Sequence, residues 1–405
     1  MSENNNIKFV NDLLQSALSK AGNVSNPLRT TFEQKLLDAG LSINQAAVNL
    51  KIDNKQLDKI LDGKLSQFDI ISLEKIADFL EIPTAQIAEM YFYLLRQSHE
   101  PELRDAKRRS YILNTFDLSI LKKIKFIDSI SDLEKIEARL LHFFNLKNIQ
   151  DYKNEAVSVA YSSGARKSKS GFSRSLWFRT AQESFEGLEN PYTYDREKLF
   201  EYIPYIRWYS QDTKNGLFQV VRSLFKLGVT VIYVPSIREA HVRGATFAVN
   251  GKPAIAITDY TDFYPTIWFV LLHELFHVLF DWEEILINTF HVSGDDEFYS
   301  QNESAANDFA RKYFASDEDL AVFSENIRNI AFITEFAAQN NVHPSFYHVF
   351  YAYENSKTEP SIWGRIRKHM PDINEALTPL IKVEWDTPNS LSEITKIRKK
   401  KVYNL

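Results

Sequence analysis

A chain of 405 residues can hold two or three domains, each with its own core. Its 44% hydrophobic and 25% charged content is that of an ordinary folded chain, and 29 Phe and 19 Tyr promise well-filled cores. The lack of cysteine excludes disulfides, thiolate ligands and cysteine nucleophiles and fits a reducing cytoplasm; a net charge of −5 excludes a generic polyanion binder, so any nucleic-acid contact must come from a local patch.

Met1–Asn6 is polar and carries no signal-peptide pattern. Ile7, Val10, Leu13, Leu14, Ala17 and Leu18 have helical spacing, so residues 1–25 are expected to form an N-terminal helical extension ending at the polar break Asn23–Pro27. Residues 26–95 are expected to be five short helices punctuated by Gly40, Gly63 and Pro83. Within them Ala46, Ala47 and Leu50 give one helix an apolar face, Ile52 fills a turn, and Asp53 is placed to cap the next helix. Leu57 and Ile60 then face inward, leaving Asn54, Lys55, Gln56 and Lys59 outward. This pattern resembles the helix-turn-helix of Cro/C1-type repressors, whose second helix enters the major groove; Asn and Gln can pair adenine, and Lys can meet guanine or phosphate. The plainer reading is a small bundle for protein contact or dimerisation. Seven basic and ten acidic residues leave 26–95 at −3, so operator binding is expected to need a dimer.

Residues 96–175 are expected to be a charged helical linker. Ser131-Asp132-Leu133-Glu134 opens one clear helix there, and residues 161–175 form a small polar loop with Arg166, Lys167, Lys169 and Arg174. From 176 to 355 the pattern is α+β. Leu199–Leu227 is mostly helical and Gly228–Pro235 is a strand. Two further strands flank Asn250-Gly251, the strongest short hairpin signal, and Pro253 pushes its strand towards an edge or to its first residue. The stretch Tyr264–Trp282 is apolar but too short and too polar at its centre to span a membrane. Helices follow over Glu303–Phe314 and Asn326–Asn340. Residues 356–405 are a C-terminal extension whose basic run Lys396–Lys401 is expected to be a mobile, solvated end.

At the centre of the apolar stretch stands His273-Glu274-Leu275-Phe276-His277. Positions four apart share a helix face, so both imidazoles can reach one cation with Glu274 beside them. The alternative is a core helix with two satisfied histidines, but burying His, Glu and His among apolar residues is costly unless something pairs them. Two His need a third protein ligand. Glu283, six residues after His277, is rotated off the face of a continuing helix, and Asp281 lies a turn further on. Glu303 on the next helix is the better candidate, with Asn307 on the same face to hold a histidine's other nitrogen and Ala305 and Ala306 allowing close approach.

These residues, with Gly228-Val-x-Val-x-x-Val-Pro235, Arg243-Gly-Ala-Thr246, Glu303-x-x-Ala-Asn307 and Val342-His-Pro-Ser345, resemble the ImmA/IrrE metallopeptidases over roughly 165–350. Fusion to a helix-turn-helix resembles HigA-like antitoxins and phage-type regulators. The resemblance implies a zincin-like domain with a small mixed or antiparallel sheet. It also implies one Zn2+ per chain on His273, His277 and Glu303, Glu274 as the base, and cleavage of a partner regulator in the cytoplasm. Phe276 departs from the family's glycine and is expected to narrow the cleft. The edge strand near 253–258 is expected to pair with an extended substrate, and Arg243, His291, His343 and Tyr347 are the candidate oxyanion donors. The rival reading is a DNA-binding antitoxin or repressor with an inert or sensory peptidase fold.

Overall fold

The computed structural model describes residues 26–65, 70–152, 169–294 and 301–405. The helix expected over 7–20, and Arg166 and Lys167 of the expected loop, lie outside the described residues. The chain is mostly helical with one four-stranded mixed sheet, and it divides into two compact units between Ser110 and Tyr111. Among the described residues no helix is long and apolar enough to cross a membrane.

The first unit contains the five expected short helices: α1 (Pro27–Ala39), α2 (Ile43–Leu50), α3 (Asn54–Leu61), α4 (Ile70–Leu80) and α5 (Thr84–Ser98). Local chemistry sets their ends. Asn26 accepts from Arg29 N with Pro27 at the first position of α1, Ser42 and Gln45 form a capping box on α2, and Asp53 accepts from Lys55 N and Gln56 N on α3. Leu28, Phe32, Ala46, Ala47, Leu57, Ile60 and Ile76 fill the core. Gly63 is obligatory: its φ is +65°, and a Cβ there would lie 2.8 Å from the Leu94 carbonyl carbon. The helix α6 (Glu100–Thr115) spans the division.

In the second unit α7 (Leu118–Lys123) and α8 (Leu133–Phe143) pack into the same core as the sheet, through Ile120, Leu121, Leu140 and Phe143. Asp132 caps α8 as the sequence suggested, accepting from Lys135 N. The expected loop over 161–175 is corrected from Lys169 onward, because α9 (Lys169–Leu188) begins there. Its apolar residues Phe172, Leu176, Trp177 and Phe178 are buried, and that burial outweighs the small polar residues between them. The helices α10 (Arg196–Tyr209) and α11 (Gly216–Lys226) then lead into β1 (Thr230–Tyr233).

Strands β2 (Val242–Val249) and β3 (Lys252–Ile257) form the Asn250-Gly251 hairpin, with positive φ at both turn residues. The sheet order is β1-β3-β2-β4, with β1 and β3 parallel and β4 (Phe290–Gly294) antiparallel to β2. The expectation that the 253–258 strand is an edge is therefore wrong: β3 is interior. Pro253 is tolerated because pairing with β1 starts only at Ala254, so no neighbour awaits its missing N–H. Alternation along β2 assigns the two faces of the sheet. Thr246 meets the helix α12 (Tyr264–Phe280) on one side, and Phe247 meets Phe178 and Phe185 of α9 on the other.

After α12 (Tyr264–Phe280) come α13 (Trp282–Asn288), α14 (Gln301–Phe314), α15 (Asp317–Asn326), α16 (Ile330–Gln339), α17 (Ser345–Asn355), α18 (Ile362–Ile366) and α19 (Ile373–Leu377). The C-terminal segment is not a mobile tail. Ser390 and Glu393 form a capping box on α20 (Leu391–Arg398), which continues as one π-helical turn, Lys399–Tyr403. Leu391, Ile394, Arg398, Val402 and Tyr403 are buried, interleaved at helical spacing with the exposed lysines. Arg398 donates to Tyr233 O and the Tyr403 hydroxyl to Val231 O, so this segment caps the β1 edge. Tyr403 also stacks on Phe225, ring centres 4.2 Å apart. Tyr403→Ala is expected to cost about 3 kcal/mol of unfolding free energy in urea titration. A solvated tail would give less than about 0.5 kcal/mol.

Elsewhere in the second unit His348 stacks on His369, ring centres 4.2 Å apart and planes parallel. Burial pushes the His348 imidazole down to about 4, the neighbouring His369 adding to the effect. The unfolded chain titrates near 6.5, so it binds the proton that the folded chain refuses between those values. Stability is therefore full above about pH 6.5 and falls as pH drops towards 4, by ~3 kcal/mol from this group. His348→Gln should flatten that acid limb in pH-dependent denaturation; an unchanged slope would assign the acid sensitivity elsewhere.

Candidate metal centre

Helix α12 is buried on almost every side, which explains why its sequence is apolar all round rather than amphipathic. His273 and His277 rise one turn apart on it, and their Nε2 atoms lie 3.1 Å from each other. Helix α14 (Gln301–Phe314) crosses α12, its Ala306 and Ala310 fully buried in the second unit's interior. Its first turn carries Glu303 to the imidazoles: Oε2 lies 3.4 Å from His273 Nε2, and Oε1 lies 3.4 Å from His277 Nε2. Tetrahedral ligands at ~2.05 Å from a cation are ~3.3 Å apart, and each imidazole stands at about that separation from the other and from one Glu303 oxygen. This buried group could hold a metal ion.

The surrounding shell differs from the expectation in instructive ways. No hydrogen bond joins Asn307 to either imidazole among the described residues. His277 Nδ1 instead donates to Asp281 Oδ2 at 2.6 Å, which leaves the Nε2 lone pair facing His273 and Glu303. Asp281 lies one turn beyond His277, at the point where α12 leaves helical geometry and α13 (Trp282–Asn288) starts afresh. Glu283, on α13, is exposed. The sequence signal for Asp281 was its i, i+4 spacing from His277.

His291 joins the site from β4. Its Nε2 lies 2.5 Å from Glu303 Oε1, and its ring centre is 3.9 Å from that of His277. Burial opposes ionisation of Glu303, yet bonds to His273, His277 and His291 outweigh it and hold the carboxyl far below the usual range. Burial likewise opposes a proton on His277, but Glu303, then Glu274 and Asp281, raise its pKa to about 8.

Glu274 is wholly buried on the sheet side. Thr246 donates to its Oε2 at 2.7 Å, while among the described residues no group donates to Oε1. Gly244 makes room for it: a Cβ there would lie 2.7 Å from Oε1 and 2.6 Å from Val270. The β2–β4 register pairs Thr246 with His291, so one rung of the sheet serves both Glu274 and Glu303.

The remaining sequence candidates separate. Arg243 and Asn307 line a cavity beside the centre. His343 takes a hydrogen bond from Ser345 N at Nδ1, and Tyr347 is buried against Phe323 and Phe336, so neither is brought to the imidazoles. Phe276 is not among the residues lining that cavity. It packs on Phe280 and Phe309 at the α12–α14 crossing. On the first unit, Asn54, Lys55 and Lys59 are exposed on α3 and Gln56 is partly buried.

No protein-family model, curated protein or solved structure matches the chain. Asp281→Asn is expected to weaken metal affinity about 10- to 100-fold in competition titrations with a chelator. Unchanged affinity would show that Asp281 does not orient His277.

Proposed function

We propose that the chain is a zinc-dependent endopeptidase of the ImmA/IrrE type joined to a Cro/C1-type helix-turn-helix. In this reading it cleaves a partner repressor or antitoxin-like regulator to control a stress, phage or toxin–antitoxin operon. The observation that carries the peptidase reading is the convergence of His273, His277 and Glu303 beside a buried Glu274 with one oxygen uncommitted. Two imidazoles and a carboxylate suit zinc, which when bound supplies Lewis acidity for hydrolysis near neutral pH. Thr246 fixes Glu274 Oε2, so Oε1 is the atom that takes a proton from water and returns it to the leaving amine. Asp281 and His291 hold His277 and Glu303 in place. Of the four expected oxyanion donors, the reading favours Arg243, next in the chain to the Gly244 that abuts Glu274, and His291, which adjoins Glu303.

Charge on α3 supports the DNA-binding reading despite the net −3 of its surroundings. Asp53 is engaged in capping, and Arg29 binds both Asp58 (3.1 Å) and Asp62 (2.7 Å). Lys55 and Lys59 have no acidic partner among the described residues, so the outer face of α3 offers operator DNA two uncompensated cations beside Asn54 and Gln56. A dimer would double that surface.

Glu274→Gln is expected to keep one zinc per chain and to slow cleavage of the regulator encoded beside it by about 10²- to 10⁴-fold. Undiminished proteolysis with zinc retained would remove the mechanism. Lys55→Ala and Lys59→Ala should each weaken operator binding across sequences and reduce the salt slope by about 1 in gel-shift titrations. Retention of the full slope would place the DNA contact elsewhere or nowhere on α3.

A further inference from the structure

A cavity of about 400 Å3 opens beside the metal centre, at the small end of ligand pockets, which run from ~300 to ~1,000 Å3. Four of its lining residues stand within one helical turn of the metal-centre residues. Phe269 and Val270 precede His273 on α12, and Ser304 and Asn307 follow Glu303 on α14. The Phe269 ring centre lies 6.2 Å from that of His273. Val270 and Glu274 Oε1 meet at Gly244, so the cavity wall and the base touch one point on β2. Phe350 and Tyr353, from α17 (Ser345–Asn355), close the far side, with Phe350 against Phe269. Arg243, Asp308 and Arg311 also line it; Arg311 is met by Asp317 and Glu354 and Asp308 by Lys312, so these two do not call for a charged guest.

Resting on the peptidase reading, we infer that this cavity is the specificity pocket and takes one large apolar side chain, aromatic or leucine, next to the scissile bond. A peptide group lying over Glu274 and the imidazoles places its neighbouring side chain at the mouth, between Phe269 and Ser304. The aromatic walls reward a ring or branched aliphatic group there, by about 10- to 100-fold over alanine. The volume admits such a side chain with room beside it but no folded segment, so the substrate strand must be extended where it is cut.

The test uses the full chain carrying Glu274→Gln, with and without added Zn2+, and fluorescently labelled blocked hexapeptides. These are all alanine except for phenylalanine, leucine, aspartate or alanine at the third position. Binding by anisotropy is expected to favour phenylalanine and leucine over alanine and aspartate by at least tenfold. Ser304→Trp, at an exposed position that fills the mouth, and Tyr353→Ala, which removes a half-exposed wall, should each erase most of that preference. Equal binding of the four peptides, preference for aspartate, or preference that survives both variants would overturn the pocket. The unmodified zinc-loaded chain then reports on the reading beneath it. Cleavage adjacent to the phenylalanine supports both claims. Selective binding with no cleavage supports the pocket and overturns the peptidase reading, and cleavage without side-chain preference does the reverse.

Discussion

Burying two imidazoles and two carboxylates inside an apolar layer is the constraint around which the second unit is arranged. His273, Glu274 and His277 lie on a helix covered on almost every side, where water cannot solvate them. Unpaired, such groups cost several kcal/mol each. The fold offsets this by bringing partners from elements far apart in sequence: Glu303 from α14, Thr246 from β2, His291 from β4 and Asp281 from the break after α12. A single-residue slip of β4 against β2 would turn His291 to the other face of the sheet, so register and site geometry are one requirement.

The same requirement explains residues that look unremarkable alone. Gly244 sits where any Cβ would strike Glu274 or Val270. Ala306 and Ala310 are small and buried on α14, and small side chains let a helix approach its neighbour closely enough to deliver a short-reaching Glu. Phe276 and Phe309 meet where α12 and α14 cross, so the bulky ring inside the histidine motif works as packing at that crossing.

Local signals made part of this legible. The five short helices of the first unit follow from caps and glycines, and the hairpin follows from Asn250-Gly251, because both are decided within a few residues. The histidine pair and Glu303 were legible because i, i+4 spacing and helix phase are local too. What the sequence did not reveal was non-local. The sheet order depends on a parallel pairing between β1 and β3 across an intervening strand, and no residue pattern in β3 distinguishes an interior from an edge position once Pro253 misleads. His291 and Thr246 became partners only through strand register. The C-terminal helix was hidden by its lysines, although Leu391, Ile394, Arg398 and Val402 carried a readable helical period. His343 and Tyr347 drew attention as polar groups, yet tertiary packing takes both away from the site.

Charge, too, has to be counted locally. The first unit is acidic by composition, but three acids at α3 are engaged by a helix end or by Arg29, and two lysines remain outward. Around the imidazoles the balance runs the other way. Glu274 and Glu303, when ionised, bring two negative charges into a dry layer, and Asp281 stands just outside. A proton on an imidazole cancels one of them. A divalent cation cancels both inner charges, satisfies both Nε2 lone pairs at once and uses the spacing already present among the three donors. On charge and on geometry together, the group could hold such an ion.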